Sequence, residues 1–163
     1  MSVNKYQPHV LVLPEDDANR QLAIGFFLHP LLIDRRIDIL EVAGGWTNVL
    51  DQFKTNHVSE MDRFPQRFMV LLIDFDERHD RMDTAKDTVP DRLAERVFIL
   101  GVWSEPEALK AALGHLEEIG FAMAKDCRED TSTIWNHELL QHNADELERL
   151  REHVRPFLFR AID

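Results

Sequence analysis

An apolar run that stops at two carboxylates occupies residues 71–78, which read Leu71-Leu72-Ile73-Asp74-Phe75-Asp76-Glu77-Arg78. Side chains along a strand alternate between its two faces. Asp74 and Asp76 are therefore predicted to point to the same side beyond the strand's carboxyl end. Carboxylate oxygens are the ligands that hard divalent cations prefer. The stretch predicts both a buried central strand and a metal site where that strand ends.

A second run of this kind lies near the N-terminus, where Val10-Leu11-Val12-Leu13-Pro14 is followed by Glu15-Asp16-Asp17. Open α/β sheets place their ligands at the carboxyl ends of parallel strands, so these acidic residues are predicted to share an edge with Asp74. Like-charged neighbours raise the pKa of a carboxyl group, which makes Glu15 a candidate acid or base. Asp16 or Asp17 is predicted to cap the helix that follows, over 17–29.

The order of periodicities along the chain is that of an alternating α/β fold. Apolar runs predict strands, a helical pattern begins at Trp46 after the turn Gly44-Gly45, and the highly charged stretch 77–92 predicts a solvated loop with a short helix. We expect a mostly parallel four-stranded sheet flanked by helices. Its strands are predicted at 9–14, 37–42, 68–73 and 97–102.

The C-terminal part of the chain is predicted to be helical. Ser104 and Glu107 have the spacing of a capping box, which predicts a helix start after the fourth strand. Apolar residues recur at helical spacing over 133–160, with Asn143 as the expected N-cap of the last helix. The prediction is a single domain spanning 1–163, with an α/β core over 9–105 and a helical C-terminal extension over 106–163 packed on it.

The composition, the net charge and the lack of certain motifs argue against several classes of protein. The chain has 163 residues, 44% of them hydrophobic, and a formal net charge of −11, so it lacks the broad basic footprint of a nucleic-acid-binding domain. The single Cys127 excludes an intrachain disulfide and fits a reducing, cytoplasmic setting. No apolar run approaches a bilayer-spanning length. The phosphate-loop pattern Gly-x-x-x-x-Gly-Lys-Ser/Thr and the dinucleotide-binding pattern Gly-x-Gly-x-x-Gly are both missing from the sequence, so no nucleotide cofactor is expected.

The order of these features resembles that of TOPRIM domains, the metal-binding modules of topoisomerases, primases and several nucleases. The resemblance lies in a Glu ending the first strand (Glu15), a glycine pair after the second (Gly44-Gly45) and Asp74-x-Asp76 ending the third. It covers residues 9–105. Small stand-alone TOPRIM proteins and the TOPRIM part of overcoming-lysogenization-defect nucleases are the most similar members.

The resemblance implies a protein that holds Mg²⁺, or Mn²⁺, and processes phosphodiester bonds of nucleic acid, as a nuclease does. The implied metal ligands are Glu15, Asp74 and Asp76, joined by Asp17, and Glu15 also assists proton transfer. Arg78 is the candidate for stabilising charge on the transferring phosphate. Because the chain is acidic, we expect weak binding of nucleic acid by the chain alone and a partner protein that assists it.

Two other interpretations use the same residues. The segment from Val10 to Leu22 also resembles the acidic opening of a response-regulator receiver domain, in which Asp74 would be the phosphate acceptor. Asp76 and the stretch 77–80 depart from that pattern. A degenerate TOPRIM-like module that only binds a partner needs no metal at all.

Overall fold

The structure is a computed structural model that describes residues 3–161. Over this range the chain forms four strands, β1 (His9–Pro14), β2 (Ile37–Ile39), β3 (Arg67–Leu72) and β4 (Val97–Leu100). All of them are parallel, and their order in the sheet is β2-β1-β3-β4. The predicted α/β fold, a parallel four-stranded sheet flanked by helices, is confirmed and is Rossmann-like.

Helices cover both faces of this sheet. Within residues 3–161 the α-helices are α1 (Asp17–Phe27), α2 (Trp46–Gln52), α3 (Val58–Arg63), α4 (His79–Thr88), α5 (Pro106–Leu113), α6 (Leu116–Glu129), α7 (Ala144–His153) and α8 (Arg155–Leu158). A π-helical turn, Phe53–His57, joins α2 to α3, and short 3₁₀ turns precede β2, β4 and α7. None of the described helices is both long and apolar enough to cross a bilayer.

The alternation of side chains along the central strands explains why both faces are covered. Val10 and Val12 pack with α1, α5, α6, α7 and α8, whereas Leu11 and Leu13 pack with α2, α3 and α4. A strand that is apolar on both faces is stable only between two helical layers. The strands that carry the acidic residues are therefore held rigidly in the middle of the sheet.

Helices α1 and α6 approach each other unusually closely. A Cβ placed on Gly25 would lie 2.0 Å from the carbonyl oxygen of Glu117, and one on Gly120 would lie 2.0 Å from that of Leu22. Glycine is required where two backbones come this near. Gly120 is thus tolerated inside α6 rather than ending it, and the pair fixes the position of α1 beneath the acidic edge.

Three local predictions are corrected by the structure. The stretch 77–92 is not mainly loop, because α4 is ten residues long. The second strand ends at Ile39 rather than at residue 42. The capping box also fails: α5 begins at Pro106 after Glu105, with no side-chain cap, and the buried Ser104 Oγ has no hydrogen-bond partner among the described residues. Proline's fixed φ favours the first helical position, which moves the start of the helix past Ser104.

Candidate metal centre at the carboxyl edge of β1 and β3

The ends of the two central strands are joined through Glu15. Its backbone N–H donates to the carbonyl of Leu72 at 2.9 Å, which extends the β1–β3 ladder by one residue. Its side chain turns toward β3, where Oε2 accepts the backbone N–H of Asp74 at 3.1 Å. Glu15 is only 6% exposed. The sheet thus holds one carboxylate at the junction of the strands that carry the acidic motifs.

Asp16 caps α1 and is aimed at the same point. Its Oδ1 accepts the backbone N–H of Asn19 at 3.0 Å, the usual bond of an N-cap residue. The fully buried Asn19 side chain then bridges two carboxylates, because Nδ2 donates to Oδ1 of Asp16 at 3.0 Å and to Oδ1 of Asp74 at 2.9 Å. Asn19 Oδ1 is buried and has no hydrogen-bond partner within residues 3–161.

These contacts bring three carboxylates together. One oxygen from each of Glu15, Asp16 and Asp74 lies within 4.8 Å of the other two. Burial raises the pKa of Glu15, against the opposing effect of its hydrogen bonds with Asp74. Burial likewise raises the pKa of Asp74 to about 8, with a further rise from the charge of Glu15 and a partial offset from the Asn19 hydrogen bond. Both shifts have the direction expected where burial and neighbouring acidic groups disfavour the ionised form of a carboxyl group.

The glycine pair after β2 supports the cluster from the other side. The backbone N–H groups of Gly44 and Gly45 donate to the carbonyl of Glu15 at 2.9 and 3.2 Å. Both glycines have positive φ, 90° and 143°, which side chains rarely adopt. The pair thus fixes the backbone of Glu15, a role that places Gly44-Gly45 at the edge where the sequence predicted it.

Asp76 does not join the three carboxylates. The regular strand ends at Leu72, and Asp76 and Glu77 have positive φ values of 51° and 56°, so the side-chain alternation assumed for Asp74 and Asp76 is broken. The turn is held by Glu77 N–H donating to the carbonyl of Trp103 at 2.7 Å. Asp76 is 73% exposed and lies 3.5 Å from Arg81.

The other predicted site residues also lie outside the cluster. Asp17 is exposed and accepts a hydrogen bond from Gln21 at 2.8 Å within α1. Arg78 is exposed and forms a two-bond ion pair with Asp80 at 3.0 and 2.7 Å. The structure brings two of the predicted ligands together, Glu15 and Asp74. The third carboxylate of the cluster is Asp16, and the predicted ligands Asp17 and Asp76 lie outside it.

Arg81 is the cation that sequence analysis missed. Its Nη1 donates to the carbonyl of Asp74 at 2.7 Å, and its guanidinium lies over the Trp46 ring, 4.7 Å from the centroid. The Arg81 side chain is 16% exposed, and its positive charge partly offsets the rise in the pKa of Glu15 that burial causes. Helix α4 begins directly after the acidic turn at Asp76 and Glu77, so residues at its N-terminus lie close to that turn. The sequence predicts mostly loop over 77–92, and for this reason it does not indicate the position of Arg81.

No family model, curated protein or solved structure matches this chain.

Proposed function

We propose that this chain is a divalent-cation-dependent protein that processes phosphodiester bonds of nucleic acid at the carboxyl edge of β1 and β3. The observation that carries the proposal is the convergence of Glu15, Asp16 and Asp74 within 4.8 Å. Such a cluster is unfavourable without a cation, since it places acidic groups together in a partly buried position. The resemblance to TOPRIM domains, which shares Glu15 and Asp74 with this cluster, also supports the proposal.

The donor set fits Mg²⁺ or Mn²⁺. Three carboxylates supply hard oxygen ligands, and the unpartnered Oδ1 of Asn19 belongs to the amide that bridges two of them. Asp74 and Asp16 would hold the ion together with Glu15. A bound ion of this kind polarises a phosphoryl oxygen and lowers the pKa of water. Asp76 is exposed beside the cluster, on the side from which a substrate would approach.

Proton transfer and charge stabilisation are assigned to two residues of the chain. Glu15 has a raised pKa, so it holds a proton nearer neutral pH than an ordinary glutamate and suits an acid or base. Arg81 is a better candidate than Arg78 for the charge that faces a phosphate, because it is anchored on the Asp74 carbonyl and the Trp46 ring. Arg78 is engaged with Asp80. Asp76 and Asp17 are secondary candidates as outer ligands.

The chain's charge shapes its expected partners. A net charge of −11 opposes a tight grip on long nucleic acids, so we propose that a partner protein supplies substrate binding. The buried, unpaired thiol of Cys127 is compatible with a reducing compartment, and the cytoplasm is the proposed location.

A receiver-like phosphoacceptor is the second candidate, and one observation favours it. Asp16, rather than Asp76, completes the cluster with Glu15 and Asp74. An acidic pair after the first strand and one aspartate after the third suffice for a cation and an acyl-phosphate acceptor. In this alternative Asp74 itself is phosphorylated, and no nucleic acid is cleaved.

Calorimetric titration with Mg²⁺ and Mn²⁺ is the first test, on the wild type and on separate Asp74→Asn and Asp76→Asn variants. Saturable binding that is lost in Asp74→Asn supports the acidic site. Cation-dependent cleavage of labelled single-stranded DNA or RNA then supports the nuclease, whereas labelling of Asp74 by acetyl phosphate without cleavage supports the receiver. No cation binding by a folded wild type would leave the partner-binding module.

A further inference from the structure

Strand β4 forms one edge of the described sheet. Its only neighbour there is β3. The even-numbered residues of β4 make the hydrogen bonds to β3; for example, the Leu100 carbonyl accepts the N–H of Ile73 at 3.0 Å. The backbone groups of residues 97, 99 and 101 therefore point away from the sheet. An unpaired row of this kind is a template for pairing with another strand.

Side chains of α7 and its N-cap occupy that row. Asn143 Oδ1 accepts the N–H of Gly101 at 3.2 Å, and its Nδ2 donates to the Gly101 carbonyl at 2.9 Å. Glu146 Oε2 accepts the N–H of Ile99 at 2.8 Å. One side-chain amide thus makes both of the bonds that a neighbouring strand would make with Gly101, and a carboxylate makes the next.

The third position continues the pattern. Arg149 Nη1 donates to the carbonyl of Val97 at 3.3 Å and to Oε1 of Glu146 at 2.7 Å. Residues 143, 146 and 149 follow at helical i+3 spacing, about 4.5 Å apart along the axis, whereas their targets are about 6.6 Å apart along the strand. The distance between each side chain's position on the helix and its target on β4 therefore grows from residue 143 to residue 149. The side chains lengthen in the same order, from Asn to Glu to Arg, and span it.

Burial indicates that these polar contacts are specific to the edge. Asn143 is 0% exposed and Glu146 is 3% exposed. A buried carboxylate is unfavourable unless it is fully bonded. The Glu146 carboxylate is bonded to Ile99 and Arg149, with Lys86 Nζ at 3.7 Å. What the polar residues add over apolar ones is the pairing of the β4 backbone.

We propose that Asn143, Glu146 and Arg149 act as a surrogate fifth strand, which keeps the β4 edge closed to strand addition by a second copy of this chain. The occupant that the device excludes is another β4, because identical edges pair about a twofold axis. The proposal concerns the edge of the sheet and does not depend on the acidic cluster.

The test replaces the two polar residues that contact outward N–H groups with apolar ones, in the double variant Asn143→Leu/Glu146→Leu. Backbone amide exchange is measured by NMR at low and high protein concentration, together with mass by light scattering. In the double variant we expect the Ile99 and Gly101 amides to lose protection by about tenfold or more at low concentration. At high concentration a dimer should form and protection at both amides should return.

Glu146→Gln is the control that removes the ion pair with Arg149 but keeps an amide oxygen that can accept from Ile99; it should stay monomeric with both amides protected. A folded double variant that stays monomeric at all concentrations, or that keeps wild-type protection, overturns the proposal. Amides of the central strand β1 report global opening. If the double variant does not fold, Asn143→Ala takes its place, with loss of protection and concentration-dependent association expected at Gly101, and their absence overturning the proposal.

Discussion

The backbone N–H of Asp74 donates to Oε2 of Glu15 at 3.1 Å, so the acidic residue that ends β1 is bonded to the one that ends β3. This bond draws two carboxyl groups into a partly buried position next to Asp16. It helps to set the protonation of the pair, and the predictions for the acidic edge follow from it.

Without a cation, the protein should become less stable as the pH rises. Asp74 has a pKa of about 8 in the folded state, above the ordinary aspartate value, so from about pH 4 to about pH 8 the native chain holds a proton that the unfolded chain has lost. The stabilising contribution of the protonated Asp74 is therefore fully present below this window and is lost as the pH rises through it. Thermal unfolding in EDTA should show Tm dropping by several degrees between pH 5 and pH 8, and Asp74→Asn should flatten the slope. Equal slopes for both proteins would contradict this.

Mn²⁺ should reverse that loss, and more strongly at pH 8 than at pH 5. A cation binds the ionised carboxylates of Glu15, Asp16 and Asp74, so binding releases protons and strengthens as they ionise. At a concentration of about 100 times Kd, a ligand that binds only the native state adds about 2.7 kcal/mol to the free energy of unfolding. Tm is measured against Mn²⁺ concentration at both pH values. A Tm rise that is equal at the two pH values, or that persists in Asp74→Asn, places the ion elsewhere.

Asn19→Ala should destabilise the chain and disturb the acidic edge. The variant removes the donor shared by Asp16 and Asp74 and leaves both carboxylates facing each other, at a cost of about 1–3 kcal/mol in the free energy of unfolding. The loss should be larger at pH 8 than at pH 5, because repulsion requires both groups to be charged. Urea unfolding at both pH values measures it.

Gln21→Ala is the matched control for Asn19, since it removes an exposed hydrogen bond to Asp17 on the same helix. We expect a change of less than about 0.5 kcal/mol. If Asn19→Ala behaves like this control, the bridge does not hold the carboxylates.

The strands and the acidic edge were predictable because their signals are local and strong. The apolar runs at Val10 and Leu71 predict buried strands, and residues that follow such strands lie at the carboxyl edge of the sheet, which is where Glu15 and Asp74 are found. Asp76 was expected on the same face because the strand was assumed to continue. The strand ends at Leu72, and the backbone adopts positive φ at Asp76 and Glu77. The residue types in this stretch do not indicate that change.

The long-range contacts were not predictable for a different reason. Arg81 reaches Asp74 and Trp46 only because α4 folds back over the edge, and Asn143 reaches Gly101 across 42 positions of sequence. Spacing rules describe neighbours on one helix or strand and contain no information about which elements meet. Asn143 was expected as a helix cap, and it does precede α7, but its side chain bonds to β4 instead of to the helix.

Arg81→Ala should weaken phosphate recognition, whereas Arg78→Ala should not. Arg81 is anchored beside the acidic cluster, while Arg78 is exposed and paired with Asp80. Removing one positioned hydrogen-bond donor to a developing oxyanion costs enzymes about 2.7–4 kcal/mol of transition-state stabilisation, or a factor of about 10² to 10³ in rate, and we expect a loss of this order for Arg81→Ala. Cleavage of labelled oligonucleotides with Mn²⁺ measures the rate.

Cation titration of both arginine variants keeps this result separate from loss of the metal site. Arg81→Ala should bind Mn²⁺ with wild-type affinity or better, because a positive charge near the carboxylates is removed. Equal rates for Arg78→Ala and Arg81→Ala would show that the anchored guanidinium does not contact the phosphate.

Gly120→Ala should be among the most damaging single substitutions in the chain, although it adds only a methyl group. The new Cβ would lie 2.0 Å from the Leu22 carbonyl oxygen, so α1 and α6 must separate, at a cost above about 2 kcal/mol in the free energy of unfolding. Gly114→Ala is the control: it has open space but a φ of +105°, so only local strain of about 1–3 kcal/mol is expected there, without displacement of α1. Because α1 contains Asn19 and is capped by Asp16, Gly120→Ala should also weaken Mn²⁺ binding, and Gly114→Ala should not. Urea unfolding and cation titration measure the two effects, and equal Mn²⁺ affinity in both variants would contradict the link between helix packing and the acidic edge.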